Sequence, residues 1–535
     1  MIRNAMKASI AAGHAETAKA GAQVLRRGGN AVDATIASTL SAFIAEPGLT
    51  SPFGGGFALV AGPGIEPVAF DFFADVPGRE QSLALAGATD FFSVQVSFGV
   101  TDQVFHIGRG SLAVSSVLEG LAELGRQFGS LPLTGLANRA VEMAEQGIVL
   151  SSATAEILRI LEPILMHRSE GRRVFAPRGE MLTAGERLLN PDAAQLLRDF
   201  SHGGSALPSD QFLRAFSPPN GLVTPADLHA YQAISRRPLS VTVEDFEILL
   251  TPPPTSGGVL IALGLRLLER VDNSIWRDET RSTEHFAAAL AWLDEVRRQS
   301  VDPILEAADA GAIDEILSDP RFVDRRWPRF CELLINPPQP PTAPPRSLGS
   351  TTHISVIDSQ GMACALTSSN GEGCGYVVPA TGIIGNNFLG EADLHPRGFH
   401  QAPAGQRITS MMCPTIVLKH GLPTLALGSG GSNRIRSALL HVLVEYVFRG
   451  RGLDDAVGSP RMHFEAGGLA LEAHQRSPGT MATLAQRYPD AVVFSEPNLF
   501  FGGVNVAARG RLGAGDPRRQ GCALVVDPSA PGDTP

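Results

Sequence analysis

Apolar positions along the chain follow two rhythms. Near the amino terminus the spacing is helical. His14 to Arg27 reads as a helix closed by Gly28 and Gly29. Asn30 is placed to cap a second helix, in which Val32, Ile36, Leu40 and Phe43 return every three or four positions. Glu46-Pro47 ends it, because a residue before proline is pushed out of the helical region. After Gly54-Gly55-Gly56 the rhythm shortens, and Phe57 to Ala61 and Val68 to Phe73 read as strands around a Gly62-Pro63-Gly64 turn. Ser111 to about Asp324 reads as mostly helical, with Val117, Leu121 and Leu124 on one stripe.

That stretch gives way to Asn336-Pro337-Pro338-Gln339-Pro340-Pro341-Thr342-Ala343-Pro344-Pro345, which cannot donate hydrogen bonds regularly and reads as an extended, exposed linker. Strands follow. Thr351 to Asp358 alternates, Ala363 to Thr367 is a second strand, and Ile416 to Leu427 reads as a hairpin turning at His420-Gly421. Helices and hairpins on both sides of the linker predict a layered α/β (α+β) protein with helices covering stacked sheets.

Length alone, 535 residues, allows two to four domains of roughly 150 residues or one large layered one. Hydrophobic residues make up 44% and charged ones 18%, enough apolar material to exclude a disordered or fibrous chain. The net charge of −10 gives no general reason to bind nucleic acid or an anionic membrane. Neither a secretory apolar segment nor a membrane-length run is expected from the sequence. The five cysteines never fall as CxxC, so no zinc site or disulfide framework is expected, and the cytoplasm is the default compartment. His395 and His400 lack a carboxylate or cysteine partner and read as loop packing, so no metal or other cofactor is expected. The arginine pairs Arg26-Arg27, Arg297-Arg298, Arg325-Arg326 and Arg518-Arg519 read as solvated charge.

Candidate chemistry begins at Ser350-Thr351-Thr352-His353, where an exposed linker meets a strand. A threonine hydroxyl is a weak nucleophile without a base, and a free α-amino group on the same residue, with a pKa near ~7.7 to 8.0, supplies one. Exposing that amine requires a cut between Ser350 and Thr351, by attack of the Thr351 hydroxyl on the Ser350 carbonyl and hydrolysis of the resulting ester. Thr-Thr-His is also what an ordinary strand start looks like, since β-branched residues favour strands. Gly428-Ser429-Gly430-Gly431-Ser432-Asn433 precedes a helix striped by Ile435, Leu439, Val442 and Tyr446. It lacks a phosphate-loop ending, which leaves an oxyanion hole or a plain tight turn.

Taken together, these pieces resemble the γ-glutamyltranspeptidases of the N-terminal-nucleophile hydrolase superfamily. The matching stretches are Gly28 to Ala34, Gly54 to Phe57, Thr351 to Val356, Gly382 to Asn387, Ser410 to Val417, the glycine loop and Ser459 to His463. The resemblance implies a four-layer αββα sandwich and a precursor that cuts itself into Met1–Ser350 and Thr351–Pro535, two subunits of one domain. It implies Thr351 as nucleophile and base, Ser369 as the hydroxyl beside it, and Gly430 and Gly431 as the oxyanion pair. Asn370, Glu391, Thr409 and Ser410 would contact the substrate, with Asp393 next after Glu391. The substrate would be a small amide, with no nucleic acid or membrane partner.

Two positions depart from the family pattern. Phe73 stands where an arginine grips the glutamyl α-carboxylate, and phenylalanine cannot make that bidentate contact. Arg79 or Arg109 would have to reach in instead, though either also reads as surface charge. After Asn386-Asn387 the chain runs Phe388-Leu389-Gly390-Glu391, leaving Glu391 to hold a substrate amine. Three readings stay open: γ-glutamyl transfer or hydrolysis on glutathione-like substrates, the same mechanism on another acyl group as in cephalosporin acylases, and an uncut, inactive binding protein.

Overall fold

The computed structural model describes residues 6–81, 90–97, 102–203, 210–338 and 350–527, so most of the proline-rich linker lies outside the described residues. Both predicted amino-terminal helices form, Ala15–Arg26 and Ala31–Ala45. His14 caps the first by accepting from the Glu16 amide. The Asn30 side chain accepts from the Val32 and Asp33 amides while Asp33 returns to the Asn30 amide, closing a capping box. Every residue of the second helix is buried, so it is a core helix and not a striped surface one.

Two antiparallel sheets form the centre. The first runs Cys522–Val526, Ala8–Ala12, Thr351–Ile357, Ala363–Ser369, Gly55–Gly62, Ile65–Asp71, Ile234–Arg236. The second runs Arg511–Ala514, Gly503–Ala508, Leu422–Gly430, Thr415–Lys419, Phe246–Leu250, Leu239–Val243. Small and branched side chains such as Ala365, Ala426, Ala507 and Ile416 fill the seam between them. The amino-terminal helices pack on the outer face of the first sheet. Ser256–Leu268, Glu279–Val296 and Arg434–Leu443 cover the second. The result is the four-layer αββα sandwich that the sequence implied.

Strands begun by one segment are paired by the other. Thr351–Ile357 lies between Ala8–Ala12 and Ala363–Ser369, so the chain on either side of Ser350 shares one sheet and one pair of cores. Strand alternation then sets each side chain's direction. The Thr352 hydroxyl donates to Glu46 on the helix side (2.5 Å), while His353 faces the second sheet at Gly428, where a Cβ would come within 2.2 Å of the imidazole.

The stretch Ser111 to Asp324 is less helical than the sequence suggested. It contributes two strands to one end of the second sheet, Phe246–Leu250 and the edge strand Leu239–Val243, and the edge strand Ile234–Arg236 to the first. The strand expected to reach Phe73 stops at Asp71. Phe72 still exchanges both backbone hydrogen bonds with Gly56 (3.0 and 3.3 Å), and Phe73 leaves the ladder, its carbonyl accepting instead from Arg407 and Tyr231 (3.1 Å each). Among the described residues no helix is long and apolar enough to cross a membrane.

Candidate active site

Thr351 opens a central strand and pairs across the ladder with Ser369, the last residue of the next strand. The Ser369 hydroxyl accepts from the Gly371 amide (3.0 Å) and donates to the Ser350 carbonyl oxygen at 2.5 Å. Ser350, Thr351 and Ser369 are all buried. A donor on that oxygen polarises the carbonyl immediately before Thr351 and stabilises negative charge developing there. Replacing Ser369 with alanine is expected to slow the appearance of cut chain by about 10² to 10³, the usual effect of one oxyanion donor, while Ser369→Thr keeps the rate. Band densities on a time course of denaturing gels measure this, and unchanged kinetics in the alanine variant would refute the role.

The glycine turn meets Thr351 from the opposite sheet. A Cβ on Gly430 would lie 2.1 Å from the Thr351 carbonyl oxygen, so only glycine allows this approach. Gly431 follows with φ of 124°, a region side chains rarely adopt. Beyond it the Ser432 hydroxyl donates to Asp393 (2.8 Å) and the Asn433 amide to Glu465 (2.6 Å), and the helix Arg434–Leu443 begins. The arginine pairs are not all solvated charge. Arg519 is half-buried and donates to the Thr351 carbonyl (3.4 Å), with desolvation pushing its pKa down to about 10. Arg518 is buried between Glu472 and Asp516, and Arg297 between Asp302 (3.0 Å) and Glu465 (3.3 Å).

A cleft of about 650 Å³ opens beside Thr351 and Ser369. Thr409, Ser410, Glu391 and Asp393 line it, as do Asp302, Glu306 and Arg297. Its apolar wall includes Phe73 and Phe388, whose rings pack at 4.7 Å, with Met411, Met412, Leu305 and Leu394. Phe73 also stacks on Phe57 at 5.6 Å. The two positions that depart from the family pattern are therefore one aromatic pair. Arg79 is held by Asp75 (3.3 Å) and Asp227 (3.5 Å), and Arg109 lies over the Tyr376 ring at 4.5 Å. Neither lines the cleft.

Asn370 is not brought to the cleft. Its amide oxygen accepts from the Ser51 hydroxyl (2.6 Å) and its nitrogen donates to the Ile384 carbonyl (3.2 Å), so both ends are spent inside the protein. His353, inside the strand motif, is also structural: its ring nitrogens face the Thr367 and Ser355 hydroxyls, and burial pushes its pKa down to about 3. His395 and His400 pack against the Phe388 and Gly110 carbonyls (2.9 and 3.0 Å). Among the described residues no group of His, Cys, Asp and Glu is arranged to hold a metal ion.

Sequence reading overlooked Glu372, hidden in a glycine-rich turn. It is buried, with its carboxylate facing the Ser350 backbone and the Asn387 side chain. Burial, then the Asp393 charge, pushes its pKa up to about 8. Burial and the neighbouring Glu372 and Asp393 likewise hold Glu391 well above the usual carboxylate range. An unfolded glutamate releases its proton near ~4.3, so between there and about 8 the folded chain binds more protons than the unfolded one. Stability is then fully present at the acid end and lost as pH rises, by about 1.4 kcal/mol per pH unit for one such group. Glu372→Gln, made in the uncut Thr351→Ala chain, is expected to flatten that slope in urea titrations across pH ~5 to 8. An unchanged slope would contradict the assignment.

With the site's geometry established, comparison with known proteins identifies the family. The acylase ACY 1 proenzyme of Pseudomonas sp. (strain SE83) is 30% identical over 476 residues, covering 86% of this chain and 83% of that protein. The glutathione hydrolase proenzyme of Bacillus subtilis subsp. natto is 28% identical over 481 residues, covering 85% and 80%. The crystal structure of a cephalosporin acylase from Bacillus halodurans superposes with a TM-score of 0.77 over 97% of this chain and 96% of that one, at 20% identity, which shows a shared fold. The sequence model of the gamma-glutamyltranspeptidase family matches residues 17–526, and the chain belongs to that family.

Proposed function

We propose that the chain is a precursor that cuts itself between Ser350 and Thr351 and then works as an amide hydrolase or acyltransferase. The Thr351 oxygen forms a bond to the Ser350 carbonyl carbon, the bond to the Thr351 nitrogen breaks, and the hydroxyl proton ends on that nitrogen. Water then hydrolyses the ester. Met1–Ser350 and Thr351–Pro535 remain together as subunits, since their strands share both sheets. In the mature site the freed Thr351 amine takes the proton of its own hydroxyl as the oxygen attacks a substrate amide. The leaving amine departs with that proton, and water or a second amine releases the acyl group. Gly430 and Gly431 stabilise the oxyanion, Ser369 positions the nucleophile, and Asn370 supports the turn beneath it. The observation that carries this reading is the Ser369 hydroxyl donating to the carbonyl before Thr351.

For the acyl group we favour an apolar chain seated on Phe73 and Phe388. A glutamyl α-carboxylate there would lose its water against aromatic rings without gaining a guanidinium, at a cost of several kcal/mol. Glu391, Asp393, Thr409 and Ser410 support the second reading, a γ-glutamyl group held by its amine and by hydroxyls. Relatives with both kinds of name occur, an acylase and a glutathione hydrolase. Release of p-nitroaniline from hexanoyl- and γ-glutamyl-p-nitroanilide separates the two. The first reading expects the hexanoyl compound to have the higher kcat/KM by about tenfold or more, which its five apolar carbons can supply. Preference for the γ-glutamyl compound would overturn it.

A further inference from the structure

A second cleft, of about 880 Å³, shares no residue with the first. It opens where the start of the helix Glu279–Val296 meets the far end of the helix Arg434–Leu443 and the loop after it. Four arginines line it against two glutamates. Glu445 is shared by Arg449 and Arg451 at 3.0 Å each, and Glu279 accepts from the Ser477 amide at 2.9 Å.

Neither of the other two, Arg277 and Arg476, is in an ion pair among the described residues, although the Glu279, Glu472 and Glu445 charges act on Arg476. Arg277 is exposed. Arg476 is half-buried, and its three nitrogens donate to neutral acceptors: the Glu472 carbonyl (2.8 Å), the Thr283 hydroxyl (3.1 Å) and the Pro460 carbonyl (2.8 Å). A guanidinium carries five N–H groups, so two of them remain. Two more lining side chains, Trp276 and His441, hold ring nitrogens that are buried with no hydrogen-bond partner among the described residues. His441 is kept neutral, because burial and then Arg461 and Arg476 push its pKa well down. Four guanidinium groups therefore face two lining glutamates here, with the unpartnered ring nitrogens of Trp276 and His441 beside them.

We propose that this cleft binds a small doubly charged oxyanion, with Arg476 and Arg277 supplying charge-assisted hydrogen bonds. Guanidinium groups suit such a ligand because their planar N–H pairs match the spacing of oxygens on a phosphate or a carboxylate. Nothing in the acyl-transfer reading requires this site, and neither arginine touches the cleft beside Thr351.

Isothermal titration of the full chain with inorganic phosphate, and separately with malonate, at an ionic strength fixed by potassium chloride, tests the proposal. One saturable site is expected for at least one of them, and the comparison tells phosphate from dicarboxylate chemistry. Arg277→Glu, an exposed change that leaves the core intact, is expected to weaken binding about tenfold or more, a change of about 1.4 kcal/mol, without altering p-nitroanilide turnover. Arg476→Gln is expected to do the same, with folding checked by its thermal transition. Absence of a saturable site for both anions, or equal affinity in Arg277→Glu, would overturn the assignment.

Discussion

Replacing Thr351 with alanine is expected to leave a single chain of 56.4 kDa on a denaturing gel and to abolish amide turnover. Without the hydroxyl there is no atom to attack the Ser350 carbonyl, and without the cut there is no α-amine to serve as base. Both functions reside on one residue, so the loss is expected at about 10⁴-fold or more, as for removal of a nucleophile elsewhere. Thr351→Ser keeps an oxygen in place and is expected to be cut more slowly but completely. The fold should survive alanine here, because Thr351 is held by ladder pairing to Ser369 and not through its hydroxyl. Two fragments from the alanine chain would show that another group performs the cleavage.

Phe73→Ala is expected to lower stability by about 3 to 5 kcal/mol and to remove the preference for an apolar acyl group. The ring packs between Phe57 and Phe388 at the cleft wall, so its loss leaves a cavity that rigid strand ends cannot close. Phe73→Leu keeps most of the volume and is expected to cost less than half as much while retaining hexanoyl turnover. Urea denaturation gives the first quantity, and the ratio of kcat/KM between hexanoyl- and γ-glutamyl-p-nitroanilide gives the second. A destabilised alanine variant with an unchanged ratio would mean that Phe73 is core alone and that the acyl group lies elsewhere in the cleft. Introducing an arginine there is a poorer test, since Arg407 already donates to the Phe73 carbonyl and would face a like charge.

What could be read from the sequence followed what has a period or a motif. Ala31–Ala45 and Thr351–Ile357 are long, apolar and bounded by caps and turns, and both formed as expected. Leu239–Val243 and Phe246–Leu250 were missed because two short strands are outweighed by the helices around them. Arg297 reads as solvated charge only because it sits in an Arg-Arg pair. Helical spacing from Leu290 and Leu293 would have placed it on the buried face, where Asp302 and Glu465 neutralise it. Glu372 carried no signal at all, because its burial and the Asp393 charge beside it are set by residues distant in sequence. The Phe73–Phe388 contact joins residues from opposite sides of the linker, and no local pattern could announce it.

Everything proposed for catalysis depends on one bond. Intact-mass analysis of the purified protein, with sequencing of the fragment amino termini, tests it directly. The account predicts two polypeptides that co-purify, Met1–Ser350 and Thr351–Pro535, the second beginning Thr-Thr-His-Ile-Ser. A protein that hydrolyses amides while remaining one uncut chain, or one cut at any other residue, would contradict it.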